Sequence, residues 1–116
     1  MKKLIYFFKL VSDETRLRIV VLLAQHELCV CEICGVLGLS QPKVSKHLAK
    51  LRDMGFVSTE KKEQFVFYKL NVEDEVIKKL IDDIKNQVDE YTQLAIDSRR
   101  LSDKDMYLNQ CKIPQR

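Results

Sequence analysis

The chain has 116 residues, which fits a single domain of modest stability, and a dimer would be unsurprising. Its composition is that of a soluble globular protein, with 46% hydrophobic and 32% charged residues, and no apolar run approaches the roughly 20 residues of a membrane span. The net charge of +3 is too small to indicate nucleic-acid binding by itself, so such a function must depend on where the charges lie.

The N-terminus is basic and then apolar, but it lacks the features of a secretion signal. Lys9 interrupts the apolar stretch, and no small-residue cleavage site follows it. We therefore predict a cytoplasmic protein. Thiols stay reduced in the cytoplasm, where clustered cysteines bind metals or act in catalysis more often than they form disulfides.

The first half of the chain predicts four helices. Residues 3–10 predict a strongly apolar first helix, and a second helix follows with apolar positions at the helical period. A short third helix over about residues 31–37 ends at Gly38 as a left-handed residue, and the fourth begins near Pro42 and stops at Gly55. The predicted buried stripe of the fourth helix consists of Val44, Leu48 and Leu51.

The second half predicts a β-hairpin and one long helix. Residues 56–60 and 64–70 are rich in strand-forming residues and flank a polar tip. A helix over residues 72–98 would span roughly 40 Å, and its apolar stripe needs a partner, so we predict that it mediates dimerisation with help from the first helix. The residues predicted at this interface are Leu4, Phe7, Leu80, Ile84, Val88 and Tyr91.

This order of elements predicts a dimeric winged helix-turn-helix, a mainly α fold with a small β-hairpin. Residues 1–98 are assigned to one DNA-binding and dimerisation domain, and residues 99–116 to a C-terminal tail that is partly disordered.

The fourth helix has the pattern of a DNA-recognition helix, with one apolar face and one face of hydrogen-bond donors. In helix-turn-helix proteins the N-terminal part of this helix meets base edges, and amide or cationic side chains read adenine and guanine. Two lysines near the hairpin tip can hold flanking phosphates. The residues predicted to contact double-stranded DNA are Ser40, Gln41, Lys43, Ser45, Lys46, His47, Lys50, Lys61 and Lys62. The alternative for these charges is an ordinary solvated helix face, and for His47 a structural role.

Three cysteines, Cys29, Cys31 and Cys34, precede this recognition helix by a few residues. On a helix only Cys31 and Cys34 share a face, and Cys31 stands where an N-cap residue is expected. A helix N-terminus lowers the pKa of a thiol and favours thiolate. Three convergent thiolates would form a site for a soft ion. An ion that accepts three sulfur ligands, such as trivalent arsenic or antimony, would suit this site.

The cysteines also fit two roles that need no ligand. They would serve as small buried apolar residues, or Cys31 and Cys34 would form a redox pair, although the strand–helix–strand setting of thiol oxidoreductases is missing. Zinc normally requires a fourth ligand, for which only His26 lies nearby. The sequence does not decide the role of Cys111 or whether a second metal site exists.

With these elements and motifs, the chain resembles the ArsR/SmtB family of winged-helix metalloregulatory repressors, and within it the arsenic-sensing branch. The resemblance rests on three motifs between about Phe8 and Leu70, and the predicted long helix is consistent with it. The motifs are DETRLRI in the second helix, ELCVCEIC before the turn, and SQPKVSKHLAKLRDMGFV from the recognition helix into the hairpin.

The resemblance implies a homodimer that represses an arsenic-resistance operon and leaves its operator when As(III) or Sb(III) binds Cys29, Cys31 and Cys34. It implies an inducer but no required cofactor, and no enzymatic activity. The alternatives are a cadmium- or lead-responsive repressor, or a thiol-redox-responsive repressor, of the same fold. A thiol oxidoreductase, an arsenate reductase or a protein-binding winged helix with a structural metal are further competitors. The operator sequence and the preference between arsenic and antimony are not predictable.

Overall fold

The computed structural model describes the backbone of residues 1–112 and the side chains of residues 1–109. Its elements begin with helices α1 (Lys2–Val11) and α2 (Glu14–Gln25), strand β1 (Leu28–Cys29), and helices α3 (Val30–Leu37) and α4 (Gln41–Asp53). They continue with strands β2 (Val57–Lys62) and β3 (Phe65–Leu70) and helices α5 (Glu75–Asn86), α6 (Thr92–Arg100) and α7 (Lys104–Lys112). Short 3₁₀ turns at Val88–Glu90 and Leu101–Asp103 join the last three helices.

The helix-turn-helix follows the sequence pattern closely. Helix α3 ends at Gly38, whose positive φ of 69° is the left-handed conformation that glycine adopts without a steric penalty. Helix α4 starts after Ser40 and carries Pro42 in its first turn, where a missing N–H costs no intrahelical bond. The predicted winged helix-turn-helix is therefore confirmed.

The sheet has one more strand than the sequence predicts. Strands β2 and β3 form the predicted antiparallel hairpin, with Lys62 opposite Phe65 across a two-residue turn. The short strand β1 joins the other edge of β3, where Leu28 pairs with Tyr68 and Cys29 with Phe67. The first thiol of the cluster is thus held by the sheet.

One core joins these elements. It contains the stripe of α4 predicted from the sequence, and Val44, Leu48 and Leu51 are all buried. Helix α1 contributes Phe7 and Leu10, and α5 contributes Ile77 and Ile81. Both α3 and α4 are therefore packed against the same apolar centre, which fixes their mutual orientation.

The prediction of one long helix over residues 72–98 is wrong. The chain leaves helical geometry at Gln87 (φ −118°, ψ 22°) and again at Tyr91 (φ −125°, ψ 112°), so α5 and α6 are separate helices. The break has a tertiary reason, because it lets Asp97 on α6 reach Arg18 on α2. A single uninterrupted stripe over these residues does not exist.

The sequence predicts a partly disordered tail over residues 99–116, and the structure describes helical backbone over residues 101–112 of it. A 3₁₀ turn leads into α7, and this helix packs across α3. The ring of Tyr107 covers Gly35, so closely that a Cβ at residue 35 would lie 2.1 Å from the Cγ of Tyr107. Residues 113–116 lie outside the described residues. Within residues 1–112, no helix is long and apolar enough to cross a membrane.

Candidate functional site

The solvent side of α4 presents a row of polar side chains. Gln41, Lys43, Lys46 and Lys50 are exposed, as is Ser40 at the N-cap. Ser45 is half-buried and its hydroxyl accepts a long hydrogen bond of 3.4 Å from the Gln41 amide. Because the apolar face of the helix is fully buried, the donors can only point away from the core, as a groove-binding helix requires.

His47 does not belong to this exposed face, contrary to its predicted role in contacting DNA. It is only 8% exposed, and its Nδ1 lies 3.3 Å from the Arg16 Nη1 while its Nε2 lies 3.9 Å from the Asp13 Oδ2. Burial, reinforced by Arg16 and nearby lysines and opposed by Asp13, lowers the pKa of His47. The side chain connects α4 to the start of α2 and is not available to a phosphate in this arrangement.

Of the two wing lysines predicted to contact DNA, one forms an ion pair within the protein. Lys61 is exposed, whereas Lys62 forms an ion pair with Glu27 and lies with its Nζ 5.5 Å from the centre of the Phe67 ring. This ion pair raises the pKa of Lys62 and lowers that of Glu27. Both groups are near the surface, so the pair is weak and can open when a phosphate competes.

The start of α3 with the cysteines Cys29, Cys31 and Cys34, here called the thiol end, differs in construction from the recognition helix. Cys29, not Cys31, is the N-cap residue, and it forms a capping box with Glu32. The Cys29 backbone N–H donates to Glu32 Oε1 at 3.0 Å, and the Glu32 backbone N–H donates to the Cys29 thiol. Both residues are buried, so the two groups satisfy each other in a part of the protein that water does not reach.

The two described free thiols, Cys29 and Cys34, both have raised pKa values. Burial raises the pKa of Cys29, and the neighbouring Glu32 carboxylate adds to the effect although its backbone N–H opposes it. Burial also raises the pKa of Cys34. At Cys29, the N-cap of α3, burial therefore exceeds the opposing effect of the hydrogen bond from the Glu32 backbone N–H.

The three predicted ligands lie within six residues of chain but are not gathered around a common centre. Cys29 and Cys34 are free thiols, and Cys31 already has a bonding partner. Among the side chains of residues 1–109, no three His, Cys, Asp or Glu residues are arranged to hold a metal ion. Cys111 lies outside the described side chains.

The residues predicted at a dimer interface differ in how far they are exposed. Phe7 is buried in the core of its own chain and Leu4 is half-buried against it, so neither is a free contact. Leu80, Ile84 and Val88 are half-buried, and Tyr91 is exposed. Val76, which begins the apolar stripe predicted for this region, is exposed, and the structure adds Ile5 and Phe8 as exposed apolar residues that the sequence did not single out.

The comparisons with known proteins agree with this architecture. A family model described as "Bacterial regulatory protein, arsR family" matches residues 13–59. The arsenic resistance transcriptional regulator ArsR1 of Pseudomonas putida is 44% identical over 81 residues, which cover 65% of this chain and 63% of that protein. An arsenical resistance operon repressor of Staphylococcus aureus is 37% identical over 68% of this chain and 78% of that protein.

A solved structure is similar over most of its length. Reduced HlyU from Vibrio cholerae has a TM-score of 0.67 and 37% sequence identity, over 74% of this chain and 88% of that one. The chain belongs to the arsR family of bacterial regulatory proteins. It spans about 60% of the length of the curated arsenic regulators from Pseudomonas putida and Escherichia coli that it matches.

The match to the arsR family covers the parts that carry the candidate site. Residues 13–59 include the three cysteines, the whole recognition helix and the first residues of the wing. They end before strand β3 and before helices α5 and α6, which stand where one long helix was predicted.

One buried contact that joins three elements of this arsR-family domain has no signal in the sequence. Arg18 on α2 donates from Nε and Nη2 to the two carboxylate oxygens of Asp97, both at 2.9 Å, and from Nη2 to the Leu37 carbonyl at 2.9 Å. The hydrogen bonds that Arg18 donates to Asp97 raise the pKa of the Arg18 guanidinium. The pair fixes α6 beside the end of α3, directly before the turn to the recognition helix.

Proposed function

We propose that this chain is a DNA-binding transcriptional repressor of an arsenic-resistance operon, and that it leaves its operator when As(III) or Sb(III) binds Cys29, Cys31 and Cys34. The observation that carries the proposal is the position of the cysteines at the start of α3, the helix that precedes the turn to α4. The arsenic regulators to which the chain is similar support the same assignment. The protein acts in the cytoplasm and as a regulator, not as an enzyme.

The exposed face of α4 serves as the DNA reader. Gln41 suits bidentate pairing with adenine, and Lys43 and Lys46 suit guanine or phosphate. Lys61 on the wing holds a flanking phosphate, and Lys62 joins it when its weak ion pair with Glu27 opens. None of these contacts requires the helix to change its conformation.

Inducer binding, in contrast, requires the start of α3 to rearrange. Cys31 has to give up its present partner, and Cys29 has to turn away from the Glu32 backbone N–H to join Cys31 and Cys34, which removes the N-terminal cap of α3. Because α3 and α4 share one core, a movement at the start of α3 disfavours the pose in which α4 fits the groove. A ligand that binds this altered state more tightly than the capped state shifts the protein away from DNA.

The repressor functions as a homodimer. Apolar side chains are exposed on α1, at Ile5 and Phe8, and on α5, at Val76. Burying them against a partner subunit lowers the free energy, because apolar surface is removed from water. A two-fold dimer also places two recognition helices for the two halves of a palindromic operator. Replacing Phe8 with Asp should therefore give a monomer in analytical ultracentrifugation, with far weaker operator binding.

The test is a titration of one fluorescent operator duplex, selected by the protein from a random-sequence pool, with arsenite, antimonite, cadmium and zinc in parallel. The wild-type chain should release DNA with the two trivalent ions. Cys31→Ser should bind DNA normally and fail to release it, whereas Cys111→Ser should release it like the wild type.

The outcomes separate the alternatives. Normal arsenite release by Cys31→Ser would refute the three-thiol switch. Release by cadmium alone, with dependence on Cys111, would indicate a cadmium- or lead-responsive repressor. Release only by an oxidant such as diamide would indicate a thiol-redox repressor of the same fold.

A further inference from the structure

An open pocket of about 270 Å³ lies between α1, the start of α2 and the second half of α4. Three of its six lining side chains are the cations Lys9, Arg16 and Lys50, and none is acidic. Its apolar wall consists of Leu10 and Met54. A concave surface with converging cations and no carboxylate has the chemistry of an anion site.

The cations in this pocket are available to a ligand. Among the described residues, neither the Lys9 nor the Lys50 ammonium group takes part in a hydrogen bond or an ion pair. Arg16 is held in place, since its Nε donates to the Leu10 carbonyl at 2.7 Å and its Nη1 lies 3.3 Å from His47. These contacts leave donors of the guanidinium fork unused, in a side chain whose position is already fixed.

Helix α1 carries both a side chain of this pocket and the apolar surface assigned to the dimer. With 3.6 residues per turn, Lys9 is a neighbour of Ile5 on one side and of Tyr6 on the other. The pocket therefore borders the apolar surface formed by Ile5 and Phe8.

The pocket also continues the cationic row of the recognition helix. Lys43, Lys46 and Lys50 recur at i, i+3 and i+7, so they share one face of α4 along roughly 10 Å. The pocket lies at the C-terminal end of this row. A nucleic-acid strand that follows the lysines along α4 meets Lys9 and Arg16 next.

We propose that this pocket holds a backbone phosphate of operator DNA, with Lys9 and Arg16 as phosphate ligands beside Lys50, and with the adjoining sugar against Leu10 and Met54. The inference rests on the proposed function only in that the chain binds DNA. It gives α1 a second role, because the helix carries a phosphate ligand, Lys9, next to the apolar residues assigned to the partner subunit.

The experiment compares Lys9→Gln with Lys79→Gln, a control that removes the same charge from an exposed site on α5. Operator affinity is measured by fluorescence anisotropy over a series of salt concentrations, on the selected operator and on an unrelated duplex. Lys9→Gln should lower the slope of log affinity against log salt by about one per protomer, and weaken binding to both duplexes by a similar factor. Lys79→Gln should leave slope and affinity unchanged.

Equal slopes for the two variants, with normal operator binding by the wild type, would overturn the phosphate assignment and leave the proposed function intact. Failure of the wild-type chain to bind any operator would refute both. The alternative ligand for this pocket is a free anion in solution, which carries the same negative charge as a DNA phosphate. If inorganic phosphate raises the melting temperature of the wild type but not of Lys9→Gln, while the DNA slopes are equal, the pocket binds a free anion and the DNA assignment is wrong.

Discussion

The recognition helix and the thiol end of α3 are close in sequence and opposite in construction. The polar face of α4 is exposed, and its lysines have no partner among the described residues. At the thiol end, Cys29 is buried, pairs with strand β3 and forms a capping box with the buried Glu32, whereas Cys31 and Cys34 are half-buried. An exposed surface such as that of α4 binds its ligand without rearrangement. The thiol end has to open before it can bind, so ligand binding there changes the conformation of the protein.

The largest effect should come from the buried side of the recognition helix. Leu48 is fully buried, so Leu48→Ala should lower the free energy of unfolding by about 2–5 kcal/mol in urea denaturation. Lys46→Gln, on the exposed side of the same helix, should weaken operator binding and change stability by no more than about 0.5 kcal/mol. Comparable stability losses in the two variants would contradict the division of α4 into a core face and a DNA face.

A smaller effect should follow from closing the space beneath α7. Gly35→Ala places a methyl group where the Tyr107 ring lies, so we expect α7 to detach from α3 at a cost of about 1–3 kcal/mol. Limited proteolysis should then cut near residues 101–103. In a Tyr107→Ala background the same substitution should cost nothing or stabilise the helix, as alanine does relative to glycine. An equal cost in both backgrounds would show that the ring is not the obstacle.

The capping box should contribute about 1 kcal/mol to stability, and more to the response to inducer. Glu32→Ala removes the acceptor for the Cys29 N–H, and arsenite should then release DNA at a lower concentration because less structure has to be broken. Glu32→Gln keeps an acceptor oxygen and is the matched control. An arsenite response that is identical in all three proteins would exclude the box from the switch.

The smallest effect should be a pH dependence that originates at His47. Burial lowers the pKa of this residue in the folded protein below its ordinary value of about 6.5. The unfolded chain therefore binds more protons than the folded protein as the pH falls. The contribution of His47 to the free energy of unfolding should be fully present above the unfolded pKa and be lost as the pH drops through the folded pKa. His47→Gln should flatten the change in melting temperature between about pH 7.5 and about pH 5.5. An unchanged pH profile would mean that another group controls it.

The sequence predicts the recognition helix well because every signal for it is local. Pro42 and Gly55 mark its ends, and the spacing of Val44, Leu48 and Leu51 defines its buried face. The identity of the family follows from the same segment. Local chemistry of this kind needs no knowledge of the rest of the fold.

The C-terminal half is less predictable because tertiary contacts decide it. The apolar positions chosen for a long stripe continue past Gln87, but the bidentate contact between Arg18 and Asp97 requires the chain to turn there. Nothing in the local sequence announces a pair 79 residues apart. The order of α7 depends likewise on a distant partner, Gly35.

The thiol site illustrates the same limit on a smaller scale. The spacing correctly separates Cys29 from the helical pair, but the two-residue strand β1 is too short to leave a periodic pattern. The sequence places Cys31 at the helix N-cap, whereas the N-cap is Cys29, whose thiol pKa is raised because it is buried.

Backbone hydrogen exchange, measured by NMR with and without arsenite, tests most directly whether inducer binding opens the thiol end while the recognition helix stays folded. The amides of Cys29 and Glu32, which form the capping box, should lose protection when arsenite is added, and the amide of Leu48 in α4 should keep it. Release of DNA by arsenite with undiminished protection at Cys29 and Glu32 would contradict the account.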